Sequence, residues 1–390
     1  MNKKEVGEIR KNFTDASGFM VMHRMLTAYI DPEKNVRCRQ VQSCITMPED
    51  SRAVWKDTLR RVLSPSVGKA LTEYAFPNEQ YAQGGTQQML YQLLQTKLEA
   101  EEPIDAFLTH LSEKIQYASA FAFTCAYCTY TIRSKDKNDE YNETADEEYS
   151  FLLAGFCPAN TGDDGFVYSE FDNALVKKEN TELIVSKAPS DGFLFPVFSD
   201  RSPDINHVMY YSQKPNKPNL SIVEDVLGCQ FLMSPKEEKA EFQTILRTVA
   251  GEDLNYMMIT SVNERLAEVA ADHKTETEVP MLDSGKLKDL LYDVGVSRER
   301  LEVVETVYQK TVGDAPLTVS NLIESKTVVS TPEITVHIKP GATDKVRTSV
   351  IGGRHCLLID LDDPCVEING LTAKLYQPAQ AEGSADPQNF

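Results

Sequence analysis

Five polar residues crowd into eight positions after an apolar run: Asp200, Arg201, Asp204, Asn206 and His207 in GFLFPVFSDRSPDINHVMYY (192–211). A metal-dependent hydrolase needs carboxylates and imidazoles converging on an ion with one position open for water. Asp200, Asp204 and His207 could supply three such ligands, and Arg201 could stabilise developing negative charge. The same residues also read as a turn. Ser199 to Asp204 is dense in turn formers, and Asp and Asn bond their own backbone there. Phe193, Phe195, Pro196 and Phe198 before it, and Val208 to Tyr211 after it, read as core. The turn reading leads, a binding role comes second and catalysis third.

Other constellations carry less. CAYC (125–128) has the spacing of half a zinc site, but no second close pair of ligands occurs. A redox pair belongs at a helix N-terminus. This one lies in a strand-like run, where positions i and i+3 face opposite sides. HCLLIDLDD (355–363) ends in turn chemistry rather than a metal site. VIGGRH (350–355) reads as a hairpin turn, because no GxGxxG or GxxxxGK[ST] loop is present. TGDDG (161–165) lacks the alternating carboxylates of a calcium loop. The six histidines, His23, His110, His207, His273, His337 and His355, are dispersed. No cofactor is implied. The chain therefore reads as a non-enzymatic binding protein, with a metal-dependent hydrolase at Asp200, Asp204 and His207 as the alternative.

The elements that hold these residues follow from periodicity. Residues 3–13 read as an amphipathic helix. FMVMHRMLTAYI (19–30) and NVRCRQVQSCITM (35–47) read as a hairpin around DPEKN. A helix carries Trp55, with Val54, Leu59, Val62 and Leu63 as its apolar stripe. Helices follow at 86–99, with Thr86 as its cap, and at 103–117. AFAFTCAYCTYTIRS (120–134) and EYSFLLAGFCPAN (148–160) read as two strands around an acidic loop. Short β segments run to about 213, then helices to 326, with Ser284 and Ser297 as N-caps. The class is α+β: a mixed body with antiparallel strands at 1–215, a helical region at 216–326, a small β unit at 327–373 and a disordered tail at 374–390.

Charge narrows the partners. The net charge of −19 on 390 residues disfavours phosphate backbones and anionic membranes. Nucleic acid would need a local patch, for which Arg37 and Arg39 on a strand and Arg60 and Arg61 on the next helix are the candidates. The N-terminal MNKKEVGEIRKNF has no apolar core of a signal peptide, and no apolar run nears the ~20 residues of a membrane span. The eight cysteines sit mostly in apolar stretches, as thiols do in a reducing compartment. A cytoplasmic location is expected, with a protein partner or a second copy docked on the aromatic stretch 192–211 or on the C-terminal β unit.

MNKKEVGEIRKNF, FLLAGFCPAN and above all APSDGFLFPVFSDRSPDINHVMYY resemble a bacterial family known as a domain of unknown function. The similarity runs to about residue 370. It implies one conserved unit and brings no catalytic residue with it. VEINGLTAKL (366–375), closing a small β unit after a helical middle, resembles the layout of nucleoid-associated proteins, which implies a nucleic-acid binder.

Overall fold

Asn2 accepts the amides of Lys4 and Glu5 at 3.0 Å, and Glu5 accepts the Asn2 amide in return. Helix α1 (Lys3–Asn12) thus begins on a reciprocal capping box. The structure is a computed structural model. It describes residues 1–13, 18–64, 66–117, 119–132, 147–161, 166–169, 174–177, 183–199, 201–273, 279–339, 341–362, 365–368 and 371–374.

Strands β1 (Met20–Ile30) and β2 (Val36–Ser43) form the expected hairpin, closed where Asp31 Oδ1 accepts the Asn35 amide at 2.8 Å. Helix α2 (Glu49–Val62) follows, with Glu49 and Asp50 at its positive end. It buries Leu59 and Val62, and Leu63 just beyond. Val54, expected in that stripe, is 39% exposed. After β3 (Leu71–Ala75) come α3 (Thr86–Gln95) and α4 (Glu101–Lys114). Thr86 does not cap α3. Its amide donates to Gln80 Oε1 at 2.8 Å, and its hydroxyl donates to the Val226 carbonyl.

The β segments are β4 (Phe121–Ile132), β5 (Glu147–Thr161), β6 (Phe166–Ser169), β7 (Ala174–Lys177), β8 (Leu183–Val185), β9 (Asp191–Phe195), β10 (Val197–Ser199), β11 (Ser202–Asp204) and β12 (His207–Ser212). They build an antiparallel eight-stranded sheet in the order β2-β1-β4-β5-β9-β12-β3, with β8 pairing β5 off that path. The β4–β5 hairpin is the one expected. The tip of its acidic loop and most of TGDDG lie outside the described residues.

Helices cover both faces of this sheet, so its central strands are apolar throughout rather than alternating. On one face α3 and α4 pack Leu90, Leu93, Phe107 and Leu111 over Phe123, Phe156 and Phe193. On the other, α1 and α2 pack Ile9, Phe13, Leu59 and Val62 over Ala126, Phe151 and Leu194. Period 2 sends Cys125 into the first layer and Cys128 into the second.

The same unit continues through a π-helical turn (Ser221–Val226), α5 (Pro235–Ala250), most of α6 (Tyr256–Asp272), β13 (Met281–Leu282), α7 (Ser284–Asp293), α8 (Arg298–Leu301), α9 (Val304–Thr311), β14 (Leu317–Thr318) and α10 (Val319–Leu322). Ser234 caps α5 ahead of Pro235, with Glu237 reaching back in a second capping box. Asp283, not Ser284, caps α7 by accepting the Lys286 amide at 2.8 Å. Ser297 stands at the N-cap of α8 without a capping bond from its side chain. A carboxylate one residue earlier wins the α7 cap because its extended backbone aims the oxygen at the orphan amide.

A second unit comprises 255–261 and 324–390. Its described strands form three antiparallel hairpins: β15 (Thr327–Ser330) with β16 (Thr335–Ile338), β17 (Val346–Ile351) with β18 (Arg354–Ile359), and β19 (Cys365–Ile368) with β20 (Leu371–Lys374). Gly352 and Gly353 turn the middle one at φ of 57° and 78°, the left-handed pair that a two-residue hairpin loop needs. The fold is α+β. No helix among the described residues is long and apolar enough to cross a membrane.

Candidate functional site

The stretch 192–211 resolves into two buried strands joined by a small polar hairpin. Its aromatics are core, not surface: Phe193, Phe195, Phe198, Tyr210 and Tyr211 are all buried. The aromatic docking face expected here is therefore absent, because β9 and β12 are interior strands covered by helices. Between them, Asp204 Oδ1 accepts the Asn206 amide at 2.9 Å, and Oδ2 lies 2.6 Å from His207 Nδ1. Burial alone would raise the Asp204 carboxyl, but the Asn206 amide and the His207 ring hold it below the usual range. Asn206 Oδ1 accepts the Tyr81 hydroxyl at 3.0 Å, and Gln87 donates to the Ile205 carbonyl at 3.1 Å. Arg201, at a φ of 60°, donates to Glu8 Oε2 at 3.0 Å, and Glu8 Oε1 accepts the Tyr130 hydroxyl at 2.6 Å. The hairpin is thus tied to α1. Asp204, Asn206 and His207 come together, Arg201 points to α1, and Asp200 lies outside the described residues. Among the described residues no group of three or more His, Cys, Asp or Glu is placed to hold a metal ion.

The four arginines divide between the two layers. Arg39 on β2 pairs with Asp105 at 3.2 Å and Glu101 at 3.7 Å, both on α4. Arg37, two residues away, engages Asp31. Arg60 and Arg61 end α2, on the opposite face of the sheet. Period 2 put Arg37 and Arg39 on one side, and only the packing of α4 decided which side that was.

Arg60 and Arg61 instead meet Arg10. The last turns of α1 and α2 lie on the same layer, and their three arginines line a cleft of about 280 Å³ with Leu63, Ser64, Ala188, Tyr211 and Gln213. Asp57 is the nearby counter-charge, 3.4 Å from Arg60 and 3.0 Å from Arg61. The Arg61 hydrogen bond, with Arg60 behind it, holds the Asp57 carboxyl below its usual range. Burial pushes the Tyr211 phenol up and the nearby Asp191 adds to this, while the charge of Arg61 acts against both. Among the described residues that line the cleft, three are arginines and none is acidic, which makes a positive recess on a strongly acidic chain. Planar forked donors suit tetrahedral or planar oxyanions. Arg10, Tyr211 and Gln213 escaped sequence reasoning because they are 50 or more residues from Arg60 and Arg61 and no local spacing links them.

CAYC is buried on both sides. Burial pushes the Cys125 thiol up to about 12 and raises Cys128 well above its ordinary value, so neither is a ready thiolate. No disulfide joins cysteines among the described residues. In HCLLIDLDD, Asp360 accepts Arg347 at 2.7 Å and Asp362 pairs with Lys345, both across the β17–β18 hairpin.

The family model of a domain of unknown function (DUF4317) matches residues 1–371, and the chain belongs to that family. No curated protein and no solved structure matches it.

Proposed function

We propose that this member of the DUF4317 family is a non-enzymatic binding protein of the cytoplasm, and that its ligand carries a small phosphate-like anion held between Arg10, Arg60 and Arg61. The observation that carries this is that three arginines from two helices line one cleft. Forked Arg–phosphate contacts are charge-assisted and roughly twice as strong as neutral hydrogen bonds. Tyr211, Ser64 and Gln213 add polar groups, and Leu63 and Ala188 an apolar wall. Calorimetry of the full chain with inorganic phosphate and phenyl phosphate tests this. Saturable binding that weakens with salt and falls ~10-fold or more in Arg61→Gln and in Arg10→Gln is expected. Binding that both variants leave unchanged refutes the site.

A protein partner or second copy fits the same reading. The second unit exposes Val350, Ile351 and Ile359 on the β17–β18 hairpin and Leu361 just after it, and the edges of this hairpin could pair with another strand. Native mass spectrometry checks the oligomer. A second reading, a metal-dependent hydrolase, is favoured by the Asp204–His207 contact, which orients an imidazole as catalytic bases are oriented. Stoichiometric metal in protein purified without chelator would support it.

A further inference from the structure

Away from the arginine cleft, Asn321 presents a chemical imbalance. It is only 9% exposed, on α10. Its Nδ2 donates to the Gly68 carbonyl at 2.9 Å and to Glu238 Oε2 at 2.6 Å. Turning the carboxamide over would set its oxygen against a carbonyl and a carboxylate, so the orientation is fixed. Its Oδ1 is then left buried with no donor. Buried acceptors are nearly always satisfied, and leaving one bare is costly. Glu238, 8% exposed on α5, also accepts the Thr318 hydroxyl at 3.1 Å through Oε1. Among the described residues no cation bonds to it. Burial holds its carboxyl above the ordinary range, against the hydrogen bonds from Asn321 and Thr318.

Both residues line a cavity of about 280 Å³ between β3 and the helical region. Most of its wall is apolar: Val67, Leu71, Leu232, Met233, Val279 and Met281. Among the described residues no Lys, Arg or His lines it, and the second carboxylate of the wall, Glu73, is engaged by the Met1 ammonium. The space is far larger than the ~30 Å³ of one liquid water. It lies just below the ~300–1,000 Å³ usual for small-molecule sites.

We propose that this cavity binds a primary ammonium carrying a short branched aliphatic group. The ammonium donates to Asn321 Oδ1 and to the carboxylate of Glu238, and the aliphatic group lies against Val67, Leu71 and Met281. An ammonium has three donors and no acceptor, which complements an orphan amide oxygen beside a carboxylate that no cation meets among the described residues. A neutral hydroxyl could satisfy Asn321 but would leave the charge unanswered. A carboxylate would be repelled. The same ammonium could come from a free amine or from an amino acid, and the α-carboxylate of the latter separates the two.

The test is calorimetry on the full chain with 3-methylbutylammonium chloride, 3-methylbutanol, 3-methylbutanoate, leucine and leucinamide. Saturable binding of the ammonium is expected below ~10 mM. The alcohol should bind at least ~10-fold more weakly and the carboxylate not at all. Leucinamide binding better than leucine indicates a free amine as the natural source. Leucine binding equally indicates an amino acid. Glu238→Gln should weaken the ammonium ~10-fold or more while leaving phosphate binding at the arginine cleft unchanged. If that variant does not fold, Leu232→Trp, at the exposed rim, should block the cavity instead. No saturable ammonium binding, alcohol bound as tightly, or binding indifferent to the substitution that folds, overturns the proposal.

Discussion

Gly192 and Gly155 face each other across β9 and β5, beneath the end of α2. They look equivalent in sequence, yet replacing each by alanine should have very different effects. A Cβ on Gly192 would lie 2.5 Å from the Ala154 carbonyl oxygen and 2.8 Å from both methyls of Val62. Ordinary contact begins near 3.4 Å, so the methyls must retreat by more than half an ångström, and the carbonyl belongs to the neighbouring strand. A Cβ on Gly155 would meet Pro189 at 3.4 Å, Thr124 at 3.5 Å and Val62 at 3.7 Å, all ordinary contacts. Overpacking of a tight core costs ~1–3 kcal/mol and more where backbone must move, so Gly192→Ala should lose at least ~3 kcal/mol. Gly155→Ala should stay within ~1 kcal/mol of the parent, since strand glycine already carries an entropic cost of that order. Urea unfolding reads both through Trp55, the single tryptophan, which sits on α2 and packs partly against this layer. Displacing Val62 also displaces Arg60 and Arg61, so Gly192→Ala should weaken phosphate binding at the cleft while Gly155→Ala leaves it intact. Equal stabilities for the two variants would refute the packing of α2 argued here.

Asp191, 5% exposed, accepts the Tyr117 and Tyr210 hydroxyls, each at 2.6 Å. Asp191→Ala should cost ~1–3 kcal/mol in urea unfolding, because it takes the acceptor from the buried Tyr210 phenol and leaves the half-buried Tyr117 only Ser190; a loss below ~0.5 kcal/mol would show that this cluster is not needed. The raised carboxyl of Glu238 contributes stability fully present below the unfolded value of ~4.3 and lost as pH rises through its folded value. The stability of Glu238→Gln relative to the parent should therefore improve from pH 4 to pH 7, and a difference that is flat or falls with pH contradicts the assignment. His207→Ala removes the bond to Asp204 at a half-exposed turn. If the residue is structural, melting should report a loss of about 1 kcal/mol; unchanged stability together with a lost activity would favour the hydrolase reading.

Much of the secondary structure was legible along the chain, because the signals are local. Capping residues, helical spacing around Leu90, Leu93 and Leu94, and the apolar runs of β4 and β5 each act within a few residues. The separation of Cys125 from Cys128 followed from strand geometry alone. The Asx bond from the Asn206 amide to Asp204 is likewise a local one. The errors came where two local candidates competed. Asp283 and Ser284 could both cap α7, and Val54 or its neighbours could both face the core; the orientation of the whole helix decides such choices.

Neither candidate ligand site was legible in that way. Arg10, Arg61 and Tyr211 meet only because α1 and α2 pack on one layer of the sheet and β12 ends beneath them. Arg39 was drawn to the other layer by Glu101 and Asp105 of α4, a pairing with no trace in its own strand. Gly68, Glu238 and Asn321 span more than 250 residues and share one hydrogen-bonded carboxamide. Periodicity states which side chains share a face of one element. It carries no information on which faces of distant elements meet, because that is set by burying the apolar surface of all of them at once.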